Sequence, residues 1–260
     1  MISAIILSWN SEKTIEKCLL SVKKSLADFL GEWEIIVIDN GSTDKTLRIL
    51  ENFKDSNIKI IKNNKNLGTS IARNQGIKAS AGEYLLFLDS DTEINKEAID
   101  KLLLTLGENS NIGVVAPALI FPNGEIQKSF KKFPTIWIKL LKSLPIRFLS
   151  KIGSHLEEYK INELKEPLML VDYCISACWL VKKELADKLS GFDEKIFYAP
   201  EDVDFCLRSA LLGYKSAYCS DVKIIHHQQR ETYKKPSIAI SHLLGLLYFF
   251  NKHKYFWSRN

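Results

Sequence analysis

No apolar run in the 260 residues approaches the ~20 needed to cross a bilayer; the longest late candidate is Leu243 to Phe250. The chain can therefore touch a membrane but should not span one. Met1 is followed at once by a strand-like run instead of a secretory signal, so the expectation is a cytoplasmic protein. The sequence contains neither G-x-G-x-x-G nor G-x-x-x-x-G-K-[ST], which argues against a Rossmann dinucleotide site and against a P-loop. Cysteine is sparse and odd in number. Cys18, Cys174, Cys178, Cys206 and Cys219 are widely spread without zinc-finger spacing, which fits reduced, mostly buried thiols. On one strand, Cys174 and Cys178 would share a face, as packing residues do. A uniform basic field is also missing: the formal net charge is +5, but acidic residues are plentiful in the first two thirds, so no nucleic-acid partner is expected. The positive excess is local, where Lys128, Lys131, Lys132, Lys139, Lys142, Arg147 and Lys151 interleave with Phe130, Phe133, Trp137, Leu144 and Phe148.

What is present is an ordinary globular composition, 46% hydrophobic and 26% charged, enough for one substantial α/β domain with additions. The chain is organised around Glu83 to Asp91, EYLLFLDSD. Tyr84 to Leu88 is uninterrupted and apolar, as in a strand buried on both faces, and it stops abruptly at Asp89-Ser90-Asp91. Ligand crevices in open α/β sheets lie beyond the carboxyl ends of the strands, where an acidic pair can hold a divalent cation. The alternative is that Asp89 or Asp91 merely caps the helix suggested by Ile94 to Leu106.

Ile2 to Ser8 and Trp33 to Ile38 read as two more buried strands, each followed by a polar loop and a helix. The β-α-β order predicts a parallel sheet with right-handed crossovers. Asn10 or Ser11 is placed to cap the first helix, and Asp39 follows its strand as Asp89 follows its own, so both carboxylates should enter one crevice. Gly68 leads a helix on which Arg73, one turn in, can reach toward an anion or a base edge. A short strand is expected from Ile112 to Ala116, before Pro117. Residues 128–165, divided by Pro134 and Pro145, read as an insertion or mobile excursion, either a solvated loop or an interfacial surface. VDYCISACWLV has strand character. Pro200-Glu201-Asp202 opens a helix on which Asp204 and Arg208 lie four apart, with Asp202 as base or simple N-cap. Lys215 to Cys219 and Val222 to Ile225 read as two strands, the second ending in His226-His227. Ile238 to Trp257 reads as an amphipathic helix with a basic-aromatic end: core cover, a dimer contact, or a patch resting on a membrane.

Six pieces in order, IILSWN, IVIDNGSTD, NLGTSIARNQGI, YLLFLDSD, GFDEKIFYAPEDVDFCLR and VKIIHH, resemble the inverting family 2 glycosyltransferases of the GT-A fold, across most of the chain. GFDE, EDVDFCLR and IIHH look most like the rhamnosyltransferase-type branch that builds surface glycans. The resemblance implies a mixed, mainly parallel sheet flanked by helices in a domain spanning 1–230, with 128–165 as a variable acceptor-side insertion and 231–260 as a C-terminal helical extension. It implies that Ser8, Asn10, Asp39, Asn66, Arg73 and Asp89 serve the nucleotide of a dTDP- or UDP-sugar, dTDP-rhamnose among them. Asp89, Asp91 and His226 would hold Mg2+ or Mn2+. Asp202 would be the catalytic base, with Glu201 and Trp179 on the acceptor side. The implied partners are the donor and a glycan or lipid-linked acceptor; the basic-aromatic 130–150 stretch and the last helix together favour an acceptor at the inner face of a membrane. Where the family often has a Gly-Ala-Cys-like run, this chain has Ser176-Ala177-Cys178-Trp179, so the acceptor pocket floor can differ. A sugar-nucleotide pyrophosphorylase is disfavoured because the first loop reads SWNSEKT instead of a Gly-rich basic sequence. A non-catalytic nucleotide-sugar-binding or scaffold subunit is the remaining alternative, disfavoured because no acidic site residue is missing.

Overall fold

The computed structural model describes residues 1–53, 55–143, 147–159, 166–228 and 236–254. The first half runs β1 (Ile2–Ser8), α1 (Ile15–Ala27), β2 (Trp33–Asp39), α2 (Thr46–Leu50), β3 (Ile58–Lys62), α3 (Thr69–Ala79), β4 (Tyr84–Asp89), β5 (Thr92–Glu93), α4 (Lys96–Glu108) and β6 (Ile112–Ile120). The second runs β7 (Phe130–Lys131), α5 (Ile136–Ser143), α6 (Arg147–Glu157), β8 (Leu168–Val171), β9 (Tyr173–Cys174), β10 (Cys178–Lys182), α7 (Lys183–Lys188), α8 (Glu201–Leu211), β11 (Lys215–His226) and α9 (Pro236–His253).

The apolar runs form the centre of a nine-stranded sheet ordered β3-β2-β1-β4-β10-β6-β11-β5, with β8 pairing β11. β1 to β4 pair with one another in parallel, as the β-α-β order requires, whereas β10 is antiparallel to both β4 and β6. Successive side chains of a strand point to opposite faces, so these runs feed two cores. Ile35, Val37, Leu86, Leu88 and Leu180 pack under α1 and α4, while Ile36, Ile38, Leu85, Phe87 and Val181 pack on the face that carries α3, α7 and α8. Each fully buried side chain of this size contributes about 1.5–3 kcal/mol relative to exposure.

Several expectations need correction. Asn95 caps α4, its side chain accepting from the Ala98 N–H at 2.8 Å, so neither Asp89 nor Asp91 is spent on capping. Asn10 and Ser11 do not cap α1 with their side chains; Thr14 precedes it, and Ser11 Oγ meets Ser90 Oγ at 2.6 Å. β6 continues through Pro117 to Ile120, and Lys215 to His226 is one strand. Its register against β6 shifts between Cys219 and Lys223, beside Pro117, and such an irregularity accommodates a residue that has no N–H to donate. VDYCISACWLV is divided: Cys174 ends β9 in a separate two-stranded sheet with β7, and Cys178 begins β10. The two thiols therefore serve opposite cores. All five cysteines are free and buried, and burial pushes each thiol up.

The 128–165 segment is packed rather than looped where it is described. Phe130 packs at a tilt against Tyr218, with ring centroids 4.2 Å apart, Phe133 is buried, and Lys139 pairs with the buried Glu157 at 2.6 Å. Leu144 and Pro145, the side chains of Lys142, Arg147, Phe148 and Lys151, and the basic-aromatic end at Trp257 lie outside the described residues. α9 is apolar on two faces, not one. Ile238, Phe249 and Phe250 are buried, whereas Ile240, Leu243, Leu244 and Leu247 are each more than half exposed. No helix among the described residues is long and apolar enough to cross a membrane.

Candidate active site

Strand register assembles the site. Ser8 of β1 is level with Asp39 of β2, and Leu7 is level with Asp89 of β4, so three polar strand ends share one edge of the sheet. β11 arrives at the same edge from the other side: His226 pairs with Thr92, and the His227 N–H donates to the Asp91 carbonyl at 2.8 Å. Ligand atoms of Asp89, Asp91 and His226 lie within 4.8 Å of one another. Two carboxylates and an imidazole form an O,O,N donor set suited to Mg2+ or Mn2+.

A residue the sequence did not single out orients the histidine. The Gln127 amide nitrogen donates to the His226 carbonyl at 2.6 Å, which turns its Oε1 toward His226 Nδ1 at 2.7 Å. Nδ1 must then carry hydrogen, leaving Nε2 toward Asp91, 3.5 Å away. Burial opposes the imidazolium, but hydrogen bonding to Asp91 and the charges of Asp91 and Asp89 outweigh it and raise His226. Burial raises the Asp89 carboxyl, against the pull of Arg73.

On the side of β1 and β2, Asp39 is fully buried. Its Oδ2 accepts from the Ser42 N–H at 3.1 Å, while Oδ1, like Ser8 Oγ, has no partner among the described residues. Unpaired buried oxygens are costly, and both belong to the strand-end edge where a ligand group would satisfy them. Asn10 and Asn66 are committed to loop structure. Asn10 Oδ1 accepts from the Thr43 N–H at 2.8 Å, and Asn66 Oδ1 accepts from the Gly68 N–H at 2.9 Å and from Asn40 Nδ2 at 3.0 Å. Asn40, also unrecognised in the sequence, accepts in turn from the Leu67 N–H and from Asn63. Gly68 has φ 89° and lies so close to the Phe197 carbonyl that a Cβ would come within 2.5 Å of that oxygen.

Arg73 does not point into open space. It is buried over the Phe192 ring, donating to Asp89 Oδ1 at 3.0 Å and to Glu201 Oε1 at 2.9 Å. One guanidinium thus ties the acidic strand end to the start of α8, where Asp202 follows Glu201. Asp202 is not an N-cap, since α8 is preceded by Pro200 and no side chain caps it. Burial pushes the Asp202 carboxyl up to about 7, with the Glu201 charge adding and Arg73 opposing. A carboxylate tuned to that range can take a proton from a hydroxyl near neutrality. Asp204 is held down to about 2: burial opposes ionisation, but His253, Arg208 and Lys252 outweigh it. Trp179 stands apart from the site. β10 lies between β4 and β6, so this side chain is fully buried against Phe192 and Phe205, and in this structure it offers no surface to an acceptor.

A family model described as glycosyl transferase family 2 matches residues 3–190. N-acetylglucosaminyl-diphospho-decaprenol L-rhamnosyltransferase of Mycobacterium tuberculosis is 24% identical over 236 residues, covering 86% of this chain and 76% of that protein. Poly(ribitol-phosphate) β-N-acetylglucosaminyltransferase TarS of Staphylococcus aureus is 35% identical over 134 residues, 50% of this chain and 23% of its own length. The solved mannosyltransferase PcManGT from Pyrobaculum calidifontis, in complex with GDP-Man and Mn2+, is similar with TM-score 0.65 at 18% identity, over 99% of this chain and 65% of that one. The chain thus spans less than two thirds of the latter two proteins. The architecture is that of the GT-A glycosyltransferases.

Proposed function

The chain belongs to glycosyl transferase family 2, and from that premise we propose that it moves a sugar, with inversion, from a dTDP- or UDP-sugar to a hydroxyl of a glycan or lipid-linked acceptor. The observation that carries this reading is the Asp89, Asp91 and His226 cluster joined through Arg73 to Glu201, the residue before Asp202. It puts groups suited to a metal–diphosphate complex and a carboxyl poised near neutrality on two sides of one guanidinium.

In the proposed reaction the acceptor hydroxyl gives its proton to Asp202 as its oxygen bonds to the anomeric carbon from the face opposite the leaving group. The bond from that carbon to the diphosphate oxygen breaks, and the electron pair departs with the nucleoside diphosphate. Asp39 Oδ1 and Ser8 Oγ, buried and unpartnered among the described residues, receive the nucleotide's base and ribose side. Asn10 and Asn66 shape that cleft through the loops they hold. Asp89, Asp91 and His226 would hold Mg2+ or Mn2+, which would supply positive charge to offset that developing on the leaving diphosphate. Arg73 keeps Asp89 and Glu201 in register, and Glu201 orients the segment bearing Asp202.

The donor is tested by a thermal-shift panel of UDP-, dTDP- and GDP-sugars with and without Mn2+. A ligand of the folded state raises apparent stability by mass action, about 2.7 kcal/mol at a concentration 100 times its Kd. A metal-dependent rise with dTDP-rhamnose or a UDP-sugar supports the reading, and no rise with any donor removes it.

The proposed place of action is the cytoplasmic surface of a membrane. The mycobacterial relative's name specifies a diphospho-decaprenol acceptor, and α9 leaves Ile240, Leu243, Leu244 and Leu247 exposed at i, i+3, i+4 and i+7, a row able to rest among lipid headgroups. Flotation with anionic liposomes at low salt is expected. Protein that stays in the soluble fraction and sediments as a dimer would instead assign the row to a second copy of the chain.

A further inference from the structure

The segment that carries Asp202 is gripped from two sides, and the second grip belongs to α9. On the donor side, the loop before α8 is bonded to α3. Asn74 exchanges hydrogen bonds with the Phe192 backbone at 2.8 and 2.9 Å, Ser70 Oγ donates to the Ile196 carbonyl at 2.7 Å, and the Thr69 N–H donates to the Phe197 carbonyl at 2.7 Å. These contacts hold residues 192–197. Arg73 of the same helix reaches Glu201 in the first turn of α8 at 2.9 Å, but no hydrogen bond described from α3 reaches Ala199 or Pro200.

α9 holds the stretch between these contacts and the far side of the first turn of α8. Lys252 Nζ spans the segment, donating to Asp193 Oδ2 at 2.6 Å near its start and to Asp204 Oδ1 at 2.7 Å just past Asp202. His253 Nε2 meets the same Asp204 oxygen at 2.7 Å, and the Tyr248 hydroxyl donates to Asp193 at 3.0 Å. Between these ends, Gly245 sits directly against the Ala199–Pro200 peptide: a Cβ there would run into the Ala199 carbonyl oxygen and come within 3.3 Å of Pro200 Cδ. Buried Phe249 and Phe250 seat the helix so that these groups reach together. The Asp204 carboxylate is fully buried, so it depends on its cationic donors, Lys252 among them.

We propose that α9 is the positioning element for the base, with Lys252 and Gly245 as positioning residues that fix the Asp193–Asp204 segment and so set where Asp202 stands relative to the acceptor hydroxyl. The geometry has a directional consequence. None of these contacts involves Asp39, Asp89, Asp91 or His226, so the helix acts on transfer and leaves donor and metal binding alone. α9, like Glu201 and Asp202, lies beyond residues 3–190, the span matched by the family model.

The inference rests on Asp202 being the base, and the experiment separates the two ideas. Purified wild type, Lys252→Met, Lys252→Arg, Gly245→Ala and Asp202→Asn are compared with Mn2+ and whichever of dTDP-rhamnose and UDP-N-acetylglucosamine the wild type turns over. Donor Kd is read by calorimetry, and kcat and KM by release of nucleoside diphosphate. The expected result is a kcat at least tenfold lower in Lys252→Met and in Gly245→Ala, donor Kd within twofold of wild type, and partial recovery of kcat in Lys252→Arg. Gly245→Ala removes no hydrogen bond, so it carries the test should Lys252→Met fail to fold. An inactive Asp202→Asn beside unchanged kcat in Gly245→Ala and Lys252→Met overturns the positioning role alone. Loss of kcat and donor binding together also overturns it, since the helix would then be holding the whole fold. An active Asp202→Asn removes the base assignment and the positioning role with it.

Discussion

Gln127 fixes the ring of His226: its amide nitrogen is bound to the His226 carbonyl, so its oxygen must receive the hydrogen on Nδ1. Only Nε2 is then left for a metal. Replacing Gln127 by Leu keeps the buried volume but frees the ring to turn and leaves a carbonyl without its donor. Mn2+ affinity, measured by titration calorimetry, is expected to fall about 10–100-fold, the usual effect of losing a partner that orients a ligand. Unchanged affinity would exclude His226 from the metal site.

Asp202→Asn retains the shape of the start of α8 but cannot accept a proton. Transfer is expected to fall by about 10²–10⁴-fold, while the Kd values for donor and Mn2+ stay within error, because no donor-side group bonds to that carboxyl among the hydrogen bonds described. Turnover at the wild-type rate would take the base role from Asp202.

The same carboxyl sets a pH dependence. Its proton is held to about 7 in the folded protein against an ordinary value of 3.8, so the ionised base appears, and kcat/KM rises, as pH increases through that point. Stability responds in the opposite sense. Between the two values the folded state binds more protons than the unfolded one, so stability falls as pH rises through the window and the loss is complete above it. Asp202→Asn should therefore raise Tm relative to wild type more at pH 8 than at pH 5. Equal Tm differences at the two values would contradict this.

Arg73 is buried between Asp89 and Glu201. Arg73→Met leaves the Glu201 carboxylate buried without its cation, and breaking such a pair costs about 3–5 kcal/mol. Denaturant unfolding should show that loss, and adding Glu201→Gln should recover part of it, since the uncompensated charge is then gone. A double variant no more stable than the single would mean that the two groups act independently.

The sheet and much of the site were legible because the signals are local. Apolar runs ending at Ser8, Asp39 and Asp89 mark buried strands and the edge at which they stop, and parallel pairing puts those ends side by side. His226 was readable as the last residue of an apolar strand. What the sequence hid depends on contacts between distant residues. Gln127 is 99 positions from His226, in a loop without pattern. Arg73 carries nothing in its own neighbourhood to announce Glu201, 128 positions on. Trp179 looked available to an acceptor because the antiparallel insertion of β10 between β4 and β6, which buries it, cannot be seen in a run of alternating residues. The grip of Lys252 on Asp193 and Asp204 was hidden for the same reason: the pattern of the last helix fits core cover, a dimer contact or a membrane patch and names no partner for its lysine.

The most direct test is the release of nucleoside diphosphate from a panel of UDP-, dTDP- and GDP-sugars by wild type and by Asp202→Asn, with and without Mn2+, and with a bacterial lipid extract as acceptor. Turnover of one donor class, dependent on the metal and lost in Asp202→Asn, is the predicted result. Release from none of the donors, or equal release by the two proteins, would contradict the assignment of this site to sugar transfer.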